Sequence, residues 1–429
     1  MLDINGCRVK LFENNNFKTN SISFNIINKL SLETASKNAL LVKVLSRGST
    51  DFRSSKEIAI ELESCYGATL SPKIEKIGDN QIIGFTCSYP ADEFVGERVT
   101  SRIIMLLFSL IFQPLLEGSG FNQEYFEQER ENLYNQIEGL KNDKRNYAID
   151  RCAEVMFQGE AYSVCELGDI EILKEISNEE LLRYYQLVIR ESQIAAFLSG
   201  RFEKNIIEEF SSQLKKNLNR NSDANVLLKT SIKECLINSR PDFTNLNEFV
   251  EQLDVNQGKL TIGFTTETAP NSDDYIMMMV ANSIFGGGTH SKLFAEVREK
   301  ESLAYYASTM MDKYKGVIFA TSGIESVNKD KAKTLILEQL KKLQNGEISD
   351  FEFQSSKKAL VNSLRSLNDS QLSLQAFYFG QLLAGSVYSV ELLIEKILEI
   401  SLADVINISK RIKPHTVYFL TGWQDVEEV

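Results

Sequence analysis

The chain has 429 residues, 43% hydrophobic and 25% charged, an ordinary globular mixture with room for two or three cores. Its net charge of −12 argues against nucleic acid and anionic membrane surfaces as partners. Six scattered cysteines without a C-x-x-C pair read as thiols of a reducing cytoplasm. Met1–Cys7 lacks a basic and apolar leader, and the longest apolar run, near Ile103–Phe112, is too short for a membrane span, so the chain is expected to be cytoplasmic.

In chain order, polar and apolar alternation near Ser21–Ile27 predicts a strand. A helix through Ala35–Leu45 and a short one over Ser54–Cys65 follow. Strands are expected over Leu70–Lys76 and Gln81–Tyr89, divided by the turn Gly78-Asp79-Asn80. A long apolar helix over 96–113 precedes a charged helix over 122–140. More helices run to Ile189, and the strand Gln193–Ser199 closes this part. The asparagine-rich tract 214–248 reads as a connector between domains 1–213 and 249–429. In the second domain, strands are expected over Gly258–Thr265, Ala307–Tyr314, Val317–Ile324 and Val417–Thr421. Helices are expected over Asp273–Ile284, 328–345, 348–368, 370–384 and 390–411. Strands grouped beside helix runs imply an α+β fold, with antiparallel sheets carrying helices on one face.

The second domain repeats the first. Asn142-Asp143, Gly159 and Tyr162-Ser163-Val164 recur 226 residues later as Asn368-Asp369, Gly385 and Tyr388-Ser389-Val390. Glu175-Ile176-Ser177 recurs as Glu399-Ile400-Ser401, and Phe197-Leu198-Ser199-Gly200 as Phe419-Leu420-Thr421-Gly422. The small drift in offset is what loop trimming produces in a duplicated unit.

The most specific stretch is Gly286-Gly287-Gly288-Thr289-His290-Ser291-Lys292, followed by Leu293, Phe294 and Val297 on one face of a short amphipathic helix. Arg298 and Tyr305 follow, seven residues apart. The glycines lack the spacing of a phosphate loop, which favours a tight turn. His290 has no recognised nucleophile motif beside it, and His415 after Pro414 reads as a turn residue. Taken alone, Arg298 on a surface helix and Tyr305 at a strand start would be ordinary.

In context the segment resembles the C-terminal signature of the insulinase, pitrilysin and mitochondrial-processing-peptidase family, the inverzincins. Gln257-Gly258-Lys259-Leu260 supports it. The resemblance implies two homologous halves forming a clamshell around a chamber. It also implies that Arg298 and Tyr305 hold substrate and stabilise an oxyanion, with Gly287 and Gly288 contacting the substrate. The family's zinc helix reads H-x-x-E-H. Here the matching segment is Asn38–Ser49, and the three motif positions hold Ala39, Val42 and Lys43. The later glutamate ligand is replaced by Gln136, while Glu129 is kept. A catalytic zinc needs three protein ligands. The resemblance therefore implies no cofactor on this chain, no activity alone, and zinc on a partner.

The implied partner is a zinc-motif-bearing family member of similar length, forming a heterodimeric peptidase that acts on peptides. Lys43 is expected to pair with Glu129. The competing reading is a peptide-binding or assembly scaffold with no part in cleavage. Lys18–Ile22, Ala39–Leu41, Arg47–Ser49 and Leu62–Ala68 are similar to a zinc-less type of Gram-positive bacteria. That similarity implies an association with aminopentanol modification of elongation factor P.

Overall fold

The computed structural model describes residues 2–218 and 246–423; most of the expected connector, with Cys235, lies outside them. The first repeat runs β1 (Leu2–Ile4), β2 (Cys7–Glu13), β3 (Thr19–Lys29), α1 (Leu32–Leu45), α2 (Ser55–Ser64), β4 (Thr69–Ile77), β5 (Asn80–Pro90), α3 (Asp92–Val95), α4 (Val99–Phe112), the short hairpin β6 (Leu116–Glu117) and β7 (Gly120–Phe121), α5 (Gln123–Gly139), α6 (Lys144–Met156), α7 (Ile170–Glu175), α8 (Asn178–Glu191), β8 (Gln193–Gly200) and α9 (Ile206–Asn217). The second runs β9 (Asn247–Gln252), β10 (Gly258–Thr265), α10 (Asp273–Gly286), a π-helix (Phe294–Lys300), β11 (Ala304–Asp312), β12 (Val317–Ile324), α11 (Lys329–Gln344), α12 (Asp350–Ser366), α13 (Gln371–Ala384), α14 (Val390–Glu399), α15 (Leu402–Ser409) and β13 (Lys413–Thr421).

The two sheets share one topology. The first is ordered β1-β2-β8-β3-β5-β4 and the second, read from the matching end, β9-β13-β10-β12-β11. Both are antiparallel except at that end, where β2 runs parallel to β8 and β9 parallel to β13. The α+β fold with two homologous halves is thus observed, with two refinements. Each sheet is mixed, because β2 and β9 escape the sequence reading. Helices also cover both faces rather than one.

The second-face helices are exchanged between the repeats. Of the described residues, one compact unit holds 2–139, 164–218 and 371–379, and the other 140–163, 246–370 and 380–423. In the first unit, α13 lies on the sheet through two glutamines one helical turn apart. The Gln371 side-chain amide donates to the Thr19 carbonyl at 2.8 Å, and that of Gln375 to Ser21 at 3.1 Å and Phe197 at 3.3 Å. In the second unit, Ala148, Ile149, Cys152, Ala153 and Met156 of α6 pack on Val317, Phe319, Tyr418 and Leu420. Gly263 permits this approach, since a Cβ there would lie 2.7 Å from the Met156 sulfur.

Local signals set the boundaries. Asp143 caps α6 by accepting from the Asn146 amide, and reciprocal capping boxes start α12 at Ser349/Glu352 and α15 at Ser401/Asp404. The last box divides the helix expected over 390–411. His415 is corrected from a turn residue to a buried position in β13, at a bulge beside Pro414 where pairing with β10 shifts register. Among the described residues no helix is long and apolar enough to cross a membrane.

Candidate functional site

In the first unit α1 and α5 pack together and carry the four positions matching the zinc ligands and base. Ala39 is 0% and Val42 1% exposed, both inside the apolar core. Lys43 is half-buried and Gln136 exposed. These residues do not fit zinc: two are hydrocarbon, one is a cation, and the fourth is a neutral amide. Among the described residues no group of three or more His, Cys, Asp or Glu side chains could hold a metal ion.

The kept carboxylate has a different companion. Glu129 is buried, and its Oε1 accepts from Arg47 Nη1 at 3.1 Å and from Asn132 Nδ2 at 3.1 Å. Arg47 Nη2 donates to Gln128 at 2.6 Å, and the guanidinium lies 5.1 Å from the Tyr125 ring centroid. The pairing expected from Lys43 is therefore made by Arg47. Arg47 stands one helical turn further along, and its planar fork reaches two α5 acceptors where an ammonium offers a point charge. The result is an ionic clasp between the end of α1 and α5.

The second unit builds the other half of the site from one continuous segment. Where α10 ends, a Cβ on Gly286 would lie 2.6 Å from the Thr309 methyl and 2.8 Å from its amide nitrogen. One on Gly287 would lie 2.6 Å from Ser283 Cα. Close packing, not a left-handed turn, requires these two glycines. Gly287 is exposed and Gly288 half-exposed. His290 Nε2 lies 3.3 Å from the Ser283 hydroxyl, and burial lowers the imidazole pKa, so the ring closes the turn in its neutral form. Lys292 is buried and donates to the Glu352 carboxylate at 2.9 Å and to the Glu347 carbonyl, tying the segment to the start of α12.

Two backbone distortions then display the predicted pair. The expected short amphipathic helix is a π-helix over Phe294–Lys300, anchored by buried Leu293 and Val297. Its widened turn closes with the Glu301 amide on the Glu296 carbonyl at 3.1 Å. Ser302 follows at φ +49°, a left-handed value costly for a residue with a Cβ. Pairing of β11 with β12 then passes from Ala304↔Ile324 to Tyr306↔Gly323, which leaves Tyr305 as the bulge residue. Tyr305 is 72% exposed, whereas Tyr306 turns inward, with the Arg145 guanidinium 4.3 Å from its ring. The Arg298 side chain is 44% exposed, 4.7 Å from the Phe294 ring, and its Nε is 3.4 Å from Glu299. A guanidinium and a phenol held outward on a distorted segment can donate to carbonyl or carboxylate oxygens of a bound chain. The sequence contains no plain sign of the π turn or the bulge.

A duplicated α+β fold, a peptidase-type zinc helix stripped of its ligands and an exposed Arg/Tyr segment define a metallopeptidase homologue of the inactive kind. Residues 175–360 match the model of the peptidase M16 inactive domain. The chain is 29% identical over 419 residues to the probable inactive metalloprotease YmfF of Bacillus subtilis, covering 97% of this chain and 96% of that protein. Among solved structures it is similar to a conserved protein from Enterococcus faecalis V583, with a TM-score of 0.87, 25% identity and 98% of each chain covered. The peptidase M16 inactive domain from Pseudomonas fluorescens shares the fold, with a TM-score of 0.75, 14% identity, and 97% of this chain and 96% of that one covered.

Proposed function

We propose that this chain is the non-zinc subunit of a cytoplasmic heteromeric zinc peptidase. It supplies half of the chamber, and Arg298 and Tyr305 act on peptide held at a zinc site carried by a family member of similar length. The observation that carries the reading is the contrast between the two units. The zinc-motif positions hold Ala39 and Val42 in the core with Lys43 and Gln136, beside an Arg47–Glu129 clasp, while Arg298 and Tyr305 are held outward by a π-helix and a bulge. Distortions of this kind are costly and persist where function needs them.

β11 adds a means of holding peptide. It is an edge strand of nine residues with no proline and no charge before Asp312, so its open edge can pair with an extended chain beside Tyr305. Gly287 and Gly288 border the same segment and would contact the peptide. The narrower sequence similarity adds elongation factor P modification as the setting of this proposal.

The test is tagged purification from source cells with mass spectrometry and zinc analysis of the product. A stoichiometric partner bearing H-x-x-E-H, with one zinc per pair, is the expected result. Recovery of this chain alone and metal-free would favour the scaffold reading instead.

A further inference from the structure

α6 and α13 hold matching places in the two repeats, 226 residues apart, so Arg145 stands in its unit where Gln371 stands in the other. Gln371 is a buried filler whose amide is satisfied by the Thr19 and Ser199 carbonyls. Arg145 is exposed. Its Nη2 donates to the Ser308 hydroxyl at 2.9 Å, and the guanidinium lies 4.3 Å from the Tyr306 ring centroid. Across the sheet, Tyr306 on β11 pairs with Gly323 on β12, and Gly323 with Lys259 on β10. The Tyr306 ring leans over Gly323, where a Cβ would lie 2.6 Å from its Cε1. Lys259 Nζ is thereby 5.9 Å from the same centroid, and donates to Gln257 Oε1 at 2.6 Å. Among the described residues neither cation is in an ion pair. Asp143, two residues before Arg145, is engaged at the start of α6, accepting from the Asn146 amide at 3.1 Å and its side chain at 2.8 Å. In a chain of net charge −12, two cations around one ring with no counter-charge favour a negative group brought by a partner.

We propose that Arg145 and Lys259 read a carboxylate on the peptide held along β11, either an acidic side chain or the C-terminus of a peptide that ends there. The inference rests on the proposed peptide reading and adds the charge that the peptide carries. Tyr306 and Ser308 lie on the α6 face of β11, since both meet Arg145. An extended peptide paired to the β11 edge places alternate side chains, every ~6.8 Å, on that same face and beside Arg145. The guanidinium keeps donors beyond the one given to Ser308, enough for a bidentate carboxylate. Lys259 is half-buried, so salt screens its charge less than that of an exposed lysine. Burial lowers its pKa, and a carboxylate brought beside it would oppose that shift.

The test is fluorescence anisotropy on the full chain with four labelled decapeptides of otherwise uncharged sequence. One ends in an amide, one in a free carboxylate, one carries a central Glu with an amide end, and one a central Lys with an amide end. A carboxylate-bearing peptide is expected to bind about tenfold tighter than the neutral amide, and the Lys peptide more weakly than the neutral one. Preference for the free carboxylate assigns the C-terminus, and preference for the Glu peptide assigns a side chain. Arg145→Gln installs the residue that the other repeat carries and should bring the preference close to one, with the fold checked by circular dichroism. Lys259→Met is the second variant and should reduce the preference severalfold. Equal binding of acidic and neutral peptides overturns the carboxylate reading and leaves peptide binding at β11 standing. A preference that survives both variants overturns it as well. No binding of any of the four up to about 1 mM overturns the peptide reading and this inference together.

Discussion

Replacing Arg47 by Met tests whether the Arg47–Glu129 ion pair ties the end of α1 to α5. The substitution keeps most of the aliphatic stem and removes the cation that Glu129 faces at 3.1 Å. Breaking a fully buried pair by removing one partner costs about 3–5 kcal/mol, because a charge is left buried and alone. Three features place this case lower. The Arg47 side chain is 28% exposed, Asn132 still donates to Glu129, and Arg47 Nε, a buried donor without a partner, is deleted along with the charge.

Hydrogen bonds to charged groups contribute about 1.5–3 kcal/mol, so a loss of about 2 kcal/mol is expected. For a unit of this size that is a fall of roughly 4–8 °C in the melting temperature of the first unit. Removing both partners, in Arg47→Met with Glu129→Gln, should recover all but about 1 kcal/mol, because no lone charge remains. Scanning calorimetry reads both values and separates units that melt independently. An Arg47→Met protein within about 0.5 kcal/mol of wild type, or a double variant as damaged as the single, would refute the clasp.

Adding zinc or a chelator to the isolated chain should leave its melting temperature unchanged, whereas a ligand at 100 times its Kd would add about 2.7 kcal/mol and be plainly visible. Gly286→Ala should destabilise by about 1–3 kcal/mol in urea titration, since the new methyl meets Thr309 backbone as well as its side chain; a neutral result would mean that the turn is not closely packed. Glu251 on β9 accepts from Tyr418 and Tyr147 at 2.7 Å and from Arg151 at 3.0 Å. Burial pushes its pKa up, but these three donors bring it below the ordinary 4.5. A depressed carboxylate stabilises above its unfolded pKa and loses that contribution as pH falls through the folded value. The melting-temperature gap between wild type and Glu251→Gln should therefore be full at pH 7 and close only below 4.5, and a gap independent of pH would contradict this assignment.

Strands and helices with one clean period were legible in the sequence. β10 and β12 occupy the expected residues, because Leu260, Ile262 and Phe264 alternate with Lys259, Thr261 and Thr265 in β10, and β12 opens on the apolar run Val317–Ala320 just after the turn at Gly316. β2 and β9 were not read. β2 carries a short alternation, Cys7, Val9 and Leu11 against Arg8 and Lys10, that went unused, whereas β9 is almost wholly exposed and has no apolar face to signal it. Helix exchange was also invisible. α6 and α13 look like any amphipathic helix, and which sheet they cover depends on long-range partners such as Gly263 for Met156 and Thr19 for Gln371.

At the site, the loss of zinc ligands followed from the two histidines alone, 125 residues apart. That Arg47, not Lys43, would hold Glu129 depended on where a helix end points. The π turn and the Tyr305 bulge are tertiary outcomes. Buried Val297 and the pairing of Tyr306 with Gly323 fix them, and neither is written in a local motif.

The measurement that bears most directly on the proposed role mixes the purified chain with its zinc-motif partner and follows peptide cleavage, with assembly checked by size-exclusion chromatography. The proposal predicts activity in the mixture and not in this chain alone. Arg298→Ala should lower kcat about 100-fold, the effect of losing one donor to a developing oxyanion, and Tyr305→Phe should lower it in the same direction, with assembly intact in both. Full activity in both assembled variants would contradict it and leave the chain as a scaffold.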